Sequence, residues 1–464
     1  MTSHIFTNIV YLISALLFIL GLKGLNSPET ARRGQKMAAL GMAMAIIGTL
    51  VQHEVVTYEW IIVGLVIGSI VGIGIAAWTP MTKMPERTAL SHAFGALAAA
   101  LVGVAEYYHG QDLNTVRMSA IGSEVMLGSL TFTGSMMAFG KLQGILPGSP
   151  WTYKGQNVFN VSLLAVIALI VIILVFFPST SFLFYLGLVL ALTFGVMLIL
   201  PIGAADMPTV ISILNSYAGI SAALLGFALN NKILIIAGAL DGASGFILSI
   251  IMCRAMNRSF TNVLFGAFGK ITPPVDGAAA PEDTGNKQVH SGTPKEAAEI
   301  FKNSKSVIIV PGYGMAAAQA QHNVRELADI LKAQGTDVKY AIHPVAGRMP
   351  GHMNVLLAEA NVPYDVLFDM DDINPEFPDA DVALVIGAND VTNPAARHDT
   401  ASPIYGMPIL DVDKAKHVMV VKRSMNPGFA GIENELYFND RTMMVFGDAK
   451  TVVGNITKEL NDLK

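Results

Sequence analysis

The chain has little cysteine and little charge. Its one cysteine, Cys253, lies at the end of an apolar run, which excludes an intrachain disulfide and offers no adjacent base for a thiol nucleophile. Only 14% of the 464 residues are charged, and the net charge of -5 argues against a nucleic-acid-binding protein. The N-terminus lacks the basic start of a cleaved signal peptide, so we expect the first apolar segment to remain as a helix.

Hydrophobic residues dominate the first part of the sequence. They make up 52% of the chain, and the mean hydropathy of +0.51 exceeds that of ordinary soluble proteins. Charged residues are sparse up to about Cys253, whereas the composition after about Thr272 is typical of a soluble domain. Nine apolar runs approach the roughly 20 residues of a spanning helix, and we expect the short second run to begin earlier: residues 5–25, 37–51, 60–78, 88–108, 121–139, 159–177, 182–200, 210–229 and 233–253.

Basic residues indicate the orientation of these helices. Lysine and arginine collect in cytoplasmic connections, and one alternate set of connections holds little beyond Arg117 and Lys232. With an odd number of spans, this pattern predicts a membrane protein with its N-terminus outside and its C-terminal domain in the cytoplasm. The other set of connections is predicted to contain Arg32, Arg33, Lys36, Lys83, Arg87, Lys141, Lys154, Arg254, Arg258 and Lys270.

The last part of the sequence predicts a soluble α/β domain. We expect a transmembrane helical domain over 1–260, a linker of low apolar content over 261–292, and the soluble domain over 293–464. Short β-rich runs alternate with helical stretches in that last region, which is typical of a Rossmann-like, doubly wound parallel sheet. The runs are 307–310, 338–342, 364–368, 382–386, 418–421 and 443–446.

Turn-forming and polar clusters follow several of these runs, where open α/β sheets bind ligands. The Gly312-x-Gly314-x-x-Ala317 pattern fits a dinucleotide turn, although a glycine pair is also common in simple tight turns. Residues 340–344 lack the acid that contacts the ribose of NAD, which disfavours NAD. Lys422, Arg423 and Ser424 suit a 2′-phosphate, with a solvated basic strand end as the alternative.

Polar residues also occur within the apolar runs, where a charge at a helix centre costs about 2.5 to 3.5 kcal/mol. His92 shares a helical stripe with Gly95, Ala96, Ala99 and Gly103, which places a group that titrates near neutrality where helices approach closely. The alternative is a histidine that is merely hydrogen-bonded in the bundle. Glu124 and Asn215 occupy two similar stripes: Glu124, Gly128, Thr131 and Ser135, and Ser212, Asn215, Ser216, Gly219, Ala223 and Gly226.

Several motifs together resemble the β subunit of proton-translocating NAD(P) transhydrogenases. In the soluble region they are Gly-Tyr-Gly-Met-Ala at 312–316, the segment 343–360, Val-Ile-Gly-Ala-Asn-Asp at 385–390 and Lys-Arg-Ser-Met-Asn at 422–426. In the membrane region they are Ala-Asp-Met-Pro at 205–208, Leu-Asn-Ser-Tyr at 214–217 and Met-Cys-Arg-Ala-Met-Asn-Arg-Ser at 252–259. The resemblance covers essentially the whole chain.

The resemblance implies an NADP(H) site in the soluble domain, with the nucleotide inverted relative to ordinary dinucleotide folds. The glycine turn is therefore not expected to cradle the pyrophosphate in the usual way. Phe429 stands where the family has tyrosine, so a hydroxyl contact there is not expected. The contacts implied are Gly312, Tyr313, Gly314, Val345, Ala346, Gly347, Arg348, Met349, Pro350, Gly387, Ala388, Asn389, Asp390, Val391, Gly406, Met407, Lys422, Arg423, Ser424, Met425, Asn426, Pro427, Gly428, Phe429, Asp448 and Ala449.

In the membrane domain, the resemblance implies that His92 and Asn215 belong to a proton path and that Asp206 helps to couple it to the soluble domain. Asp241 stands within the ninth run where some relatives have an apolar residue, and an acid at that depth is itself a candidate. Glu124 is a further candidate from its stripe. Weaker implications concern Ser135, Gly245 and Arg258.

The activity implied is Si/Re-specific hydride transfer between NAD(H) and NADP(H), coupled to proton movement and generating NADPH. Because one dinucleotide site is visible, NAD(H) must bind an α subunit of one or two chains, in a two-fold assembly. One alternative is a transporter whose cytoplasmic domain senses NADP(H) without chemistry. Another is a quinone reductase, although the sequence has neither a haem-ligand histidine pair nor a flavin signature.

Overall fold

The computed structural model describes residues 2–51, 58–109, 113–147, 151–203, 206–256, 260, 288–349, 351–400, 402, 404–428 and 430–463. The chain divides into two compact units, one made of the helices up to Ile250 and the other containing the C-terminal sheet. Most of the linker predicted over 261–292 lies outside the described residues, which resume at 288. The predicted boundaries at 260 and 292 therefore stay predictions.

Nine long helices form the first unit within the described residues. Seven of them are long and apolar enough to cross a membrane, which confirms the predicted membrane bundle. The two exceptions are the second, whose start carries Arg32, Arg33 and Lys36, and the fifth, which carries Arg117, Glu124 and Lys141. The helices are α1 (Thr2–Gly24), α2 (Pro28–Leu50), α3 (Glu59–Trp78), α4 (Met84–His109), α5 (Thr115–Leu142), α6 (Gln156–Phe176), α7 (Ser181–Ile199), α8 (Met207–Ala228) and α9 (Lys232–Ala255).

Several basic residues predicted in connections lie inside helices instead. Arg32, Arg33 and Lys36 belong to the first turns of α2, which begins at Pro28, nine residues before the predicted run. Lys141 lies in the last turn of α5, where its buried Nζ donates to the carbonyl oxygens of Ile199 at 3.2 Å, Leu200 at 2.7 Å and Ile202 at 2.5 Å. Three acceptors replace the water that the ammonium group loses on burial.

The fifth helix is the centre of the bundle and packs against α4, α6, α7 and α8. Small residues allow this packing, as predicted from the stripes: a Cβ on Gly128 would lie 3.0 Å from the carbonyl oxygen of Ala96. The stripe of α8 meets α9 in the same way, since a Cβ on Gly219 would lie 2.2 Å from the backbone nitrogen of Gly242. Gly95 is different, because it faces open space.

The second unit is a six-stranded parallel sheet in the order β3-β2-β1-β4-β5-β6, which confirms the predicted Rossmann-like fold. Each predicted strand is present. The third is shorter than predicted because the chain after Pro363 first makes a 3-10 turn over Tyr364–Val366. The strands are β1 (Ser306–Pro311), β2 (Asp337–Ile342), β3 (Leu367–Asp369), β4 (Val382–Ile386), β5 (His417–Lys422) and β6 (Thr442–Phe446).

Longer helices cover one face of the sheet and short helical turns cover the other, and alternate strand residues enter two separate cores. Ile309 and Leu384 enter one core, whereas Val310 and Val385 enter the other. The α-helices are α10 (Pro294–Lys302), α11 (Tyr313–Ala317), α12 (Gln321–Ala333), α13 (His352–Glu359), α14 (Met370–Ile373), α15 (Ala395–His398) and α16 (Ala449–Asp462). Further 3-10 turns span Met81–Lys83, Asn374–Asp379, Asp390–Thr392, Val412–Lys414 and Glu435–Phe438.

The sheet domain has a defined beginning. Thr293 and Glu296 form a capping box at the start of α10, in which the Glu296 carboxylate accepts from the Thr293 backbone N–H at 2.7 Å. Just before it, the backbone of His290 and Gly292 bonds Met444 on β6, with distances of 2.7 and 2.9 Å. The chain is thus tied to the sheet edge before its first helix.

Candidate functional site

The carboxyl ends of β1 and β4 lie side by side at the point where the strand order reverses, which is where open α/β sheets bind ligands. The turn after β1 and the turn after β4 both consist of small residues. An added Cβ on Gly312 would lie 2.4 Å from the Ala388 backbone, and one on Gly314 would lie 2.5 Å from the Gly387 Cα. Only glycine permits this approach of two backbones.

The glycine turn is closed by its neighbour. The N–H of Gly312 donates to the Ile386 carbonyl oxygen, and the N–H of Gly314 donates to the Gly387 carbonyl oxygen, both at 2.9 Å. The spacing alone suggested that this turn cradles a phosphate, but these two donors are already used. The N–H groups of Gly312 and Gly314 are therefore bonded within the protein, and the mode of nucleotide binding stays a prediction.

The loop after β2 is held by a buried histidine. The Val345 N–H donates to His343 Nδ1 at 3.2 Å, so the proton lies on Nε2, which donates to the Pro408 carbonyl oxygen at 2.8 Å. Burial lowers the pKa of His343 to about 4, although the Pro408 carbonyl opposes this shift. The neutral ring therefore joins the predicted contact segment after β2 to the segment that contains Gly406 and Met407.

A second buried histidine supports the tip of the same loop. Arg348 donates its backbone N–H to His352 Nδ1 at 3.0 Å, and its guanidinium lies 4.2 Å from the centre of the Tyr313 ring. Gly347 has a φ of +107°, and a Cβ there would lie 2.5 Å from His352 Nδ1. Burial, followed by the Arg348 charge, lowers the pKa of His352 to about 4. Tyr313 and Arg348 thus form one stacked surface.

Asn389 lies within a polar network at the end of β4. Its Oδ1 accepts from the Tyr437 hydroxyl at 2.7 Å and from Asn434 Nδ2 at 3.2 Å. Its own Nδ2 is buried and has no hydrogen-bond partner in the described part of the chain. The neighbouring Asp390 carboxylate accepts from the Ala430 N–H at 3.0 Å. Asn389 therefore presents a fixed, uncommitted donor.

The loop after β5 folds back on this network. Lys422 Nζ donates to the Asn426 carbonyl oxygen and lies 5.0 Å from the centre of the Tyr437 ring. Burial lowers the pKa of Lys422, and the Asp390 carboxylate opposes that shift. Arg423 and Ser424 are exposed, and Arg423 makes no ion pair with any residue that the structure describes. The phosphate-binding role predicted for this basic loop stays a prediction.

The remaining predicted contacts lie around these loops. Gly447 donates its N–H to the Lys422 carbonyl oxygen at 3.0 Å, so Asp448 and Ala449, which begin α16, follow a turn bonded to the end of β5. Gly406 donates to the Ala396 carbonyl oxygen at 2.7 Å. Pro350 and Phe429 lie outside the described residues. The other predicted contacts belong to the loops already described: Ala346, Met349, Val391, Met425, Pro427 and Gly428.

Sequence reasoning missed three supporting residues. Asn434 and Tyr437 hold Asn389 from a 3-10 turn, and His352 supports Arg348 from the start of α13. None of them follows a strand directly, so a search of strand ends does not find them. His352 is part of the 343–360 motif, but its supporting role emerges only from its contact with Arg348.

A second polar group lies between α8 and α9 of the first unit, where the Asp241 side chain is exposed at the surface of the bundle. Asn215 Nδ2 on α8 donates to Asp241 Oδ1 on α9 at 3.2 Å. A Cβ on Gly245 would lie 2.8 Å from Asn215 Nδ2, so glycine is needed for this approach. The charges of His92 and Asp241 interact, and the buried His92 Nδ1 has no hydrogen-bond partner among the described residues. The structure thus brings Asn215 and Asp241 into contact and places His92, on α4, within electrostatic range of Asp241.

Glu124 and Ser135 lie elsewhere in the bundle. The Glu124 side chain is fully buried against Gly103, which follows His92 by eleven residues, or about 16 Å along α4. Neither Glu124 carboxylate oxygen nor the Ser135 hydroxyl has a hydrogen-bond partner in the ranges described. Asp206 immediately precedes α8, whereas Arg258 lies outside the described residues. Glu124 therefore does not join the group around His92.

Comparison with known proteins decides the family. Residues 7–459 match the family model described as NAD(P) transhydrogenase beta subunit. The chain is also 51% identical over 469 residues to the NAD(P) transhydrogenase subunit beta of Rhodospirillum rubrum, with 99% of this chain and 100% of the relative covered. The chain belongs to the NAD(P) transhydrogenase β-subunit family. A named strain of Rhodospirillum rubrum gives the same match, so the resemblance seen in the motifs extends over the full length of the β subunit.

Proposed function

We propose that this chain binds NADP(H) and couples hydride transfer between NAD(H) and NADP(H) to proton movement across the membrane, generating NADPH. The observation that carries the proposal is the presence of two polar sites on one chain of this family. One is the sheet edge with its basic β5 loop, and the other is the group formed by His92, Asn215 and Asp241.

Features of the sheet edge support NADP(H) as the nucleotide. Arg423 and Ser424 would hold the 2′-phosphate, because charge-assisted bonds to phosphate are the strong ones. The buried Asn389 Nδ2 would donate to the nucleotide, and the stacked pair of Tyr313 and Arg348 would cover it. At the end of β2, the buried His343 stands where an NAD site would have an acid. When bound, the nucleotide supplies a nicotinamide ring that accepts or gives a hydride.

The chain itself orients the ring, excludes water and moves protons. Hydride transfer requires two rings held close together, with no acid or base acting on them. His92 would hold the translocated proton within the bundle. Protonation would then favour one bundle conformation, and the coupling to the pocket would appear as a difference in affinity for the two redox forms of the nucleotide.

The proposed assembly is a two-fold complex of αβ units in the bacterial inner membrane, with the α subunit made of one or two chains and carrying the NAD(H) site. The name of the family's β subunit supports the existence of the α partner. The placement of basic residues supports an N-terminus outside and a sheet domain in the cytoplasm.

A direct test measures hydride exchange between NADPH and an NAD analogue, with and without the purified α subunit. The complete complex should catalyse exchange, whereas this chain alone should bind NADPH and catalyse none. If the complex binds NADPH tightly but exchanges no hydride, the chain is a nucleotide-sensing transporter instead. In sealed vesicles, an imposed pH gradient should change the exchange rate.

A further inference from the structure

We propose that Asp241 is a second proton-carrying residue, which takes the proton from His92 and is held in position by Asn215. This inference rests on the proposed function but adds a step to it. The Asn215 amide donates to Asp241 Oδ1 at 3.2 Å and approaches the Asp241 carbonyl oxygen at 3.5 Å. Ser244 Oγ also donates to that carbonyl at 2.9 Å, which fixes the backbone around the acid.

Asp241 and His92 each have one side-chain atom without a hydrogen-bond partner among the described residues. Asp241 Oδ1 is occupied by the Asn215 amide, whereas Oδ2 has no hydrogen-bond partner in the described ranges. His92 Nδ1 also lacks a partner there. An acceptor and a donor that interact electrostatically therefore both remain uncommitted, on α9 and α4 respectively. Transfer occurs directly or across one water.

The proposed step balances in atoms and charge. The N–H bond at His92 Nδ1 of the imidazolium breaks, and an O–H bond forms at Asp241 Oδ2. An imidazolium and a carboxylate thereby become a neutral imidazole and a neutral carboxylic acid. Both states have zero net charge, which a low-dielectric surrounding tolerates far better than a single uncompensated ion.

Few other ionisable groups surround the pair. From α4 the charge that interacts with Asp241 is that of His92, and from α8 the uncharged amide of Asn215 contacts it. Glu124 on α5 faces Gly103 instead. The first two helices meet the start of α9 around Ile233, about two turns before Asp241, where Tyr11 is their titratable group. Within the described helices, Asp241 is thus the acid placed to exchange a proton with His92.

The test uses the complete complex of this chain and its α subunit in sealed vesicles. We compare Asp241→Asn, which keeps the shape and a hydrogen bond to Asn215, with Asp241→Glu, which keeps the acid. Ser249→Ala is the matched control on the same helix, since Ser249 Oγ donates to the Phe246 carbonyl oxygen at 2.7 Å, within its own helix. Hydride exchange without a gradient and NADPH binding report correct assembly.

Asp241→Asn should lower gradient-driven turnover about ten- to a hundredfold, as expected when a proton-transfer group is lost. The pH profile of the residual rate should differ from that of the wild type, because the imidazolium has lost its counter-charge. Asp241→Glu and Ser249→Ala should retain the wild-type pH profile. Infrared difference spectra on acidification should show a carboxylic-acid band that Asp241→Glu shifts.

A wild-type rate and pH profile in Asp241→Asn would overturn the inference. If Asp241→Asn does not assemble, the infrared measurement decides, because an identical spectrum in wild type and Asp241→Glu excludes protonation of this side chain. Replacement of His92 separates the two proposals. If coupling is lost in His92→Ala but normal in Asp241→Asn, only the proposal of Asp241 as a second carrier is wrong. If coupling is normal in both variants, the proposed proton path is wrong as well.

Discussion

The sheet domain and the helical bundle hold their polar groups in opposite ways. At the sheet edge, Asn389 accepts from Tyr437 and Asn434, and two buried histidines each fix a loop through a backbone bond. In the bundle, Asp241 has a single side-chain donor, and the Glu124 carboxylate has none among the residues described. A polar group with several hydrogen bonds is held in one position and one protonation state. A group with few hydrogen bonds has few of them to break when it releases its proton. This difference is expected if the sheet domain positions the nucleotide and the bundle exchanges protons, as we propose.

The largest effect is expected from a substitution in the bundle. His92→Ala should reduce gradient-coupled turnover more than a hundredfold, because the proposed proton-carrying ring is gone. NADPH affinity of the sheet domain should stay within about twofold, since the domain has its own cores. Proton uptake and nucleotide binding are measured on the same preparation. Unchanged coupled turnover would contradict the role of His92.

A second prediction concerns pH and the sheet domain. His343 and His352 have pKa values of about 4 when folded, against about 6.5 for an unperturbed histidine. Between these values the unfolded chain binds more protons than the folded chain. The contribution of the two neutral histidines to the free energy of unfolding is therefore fully present above about pH 6.5 and declines as the pH falls towards 4. At pH 5 the loss should be on the order of 2 kcal/mol per histidine.

Urea unfolding of the sheet domain at pH 7 and pH 5 measures this loss, and His352→Gln removes one of the two contributions. A domain of equal stability at both pH values would show that these histidines are not buried in the neutral form.

A third prediction tests the close packing of the glycine turn after β1 against the turn after β4. Gly314→Ala should lower the free energy of unfolding by about 1 to 3 kcal/mol, because its Cβ meets the Gly387 backbone at 2.5 Å. Gly454→Ala is the matched control within α16, since its Cβ would make an ordinary contact at 3.4 Å with Asn323 Nδ2 and should be neutral or stabilising. Equal stability of the two variants, measured by urea unfolding, would mean that the two turns do not pack as described.

The smallest effect concerns nucleotide choice. Arg423→Ala should weaken NADPH binding about tenfold and leave the weaker NADH binding unchanged, because only NADPH carries the 2′-phosphate. Lys416→Ala is the control, since Lys416 pairs with Asp381 at 2.8 Å, next to the amino end of β5. Titration calorimetry measures both nucleotides. An equal loss for NADPH and NADH would place Arg423 away from the 2′-phosphate.

The fold was largely predictable from the sequence, because apolar runs and their lengths mark both the helices and the strands. The burial of Lys141 could not be predicted in this way. Its charge suggested an exposed connection, but three carbonyl oxygens from a distant helix end allow it to be buried. Such compensation depends on contacts between segments 58 to 61 residues apart, which local patterns do not contain.

The candidate sites were predictable in part. Strand ends and helical stripes indicated Asn389, Lys422, His92 and Asn215, since position in a regular element follows from periodicity. They did not indicate that the glycine turn is bonded shut by the β4 loop or that Asp241 meets Asn215. Both facts depend on which neighbours the turn and the helix acquire in three dimensions.

The most direct measurement of the central claim is the rate of hydride exchange by the complete complex in tightly sealed vesicles, recorded as the transmembrane pH difference is varied. Coupling between the bundle and the nucleotide site predicts a rate that changes with the size and direction of the gradient, and that loses this dependence in His92→Ala. A rate independent of the gradient in vesicles that remain sealed would contradict it.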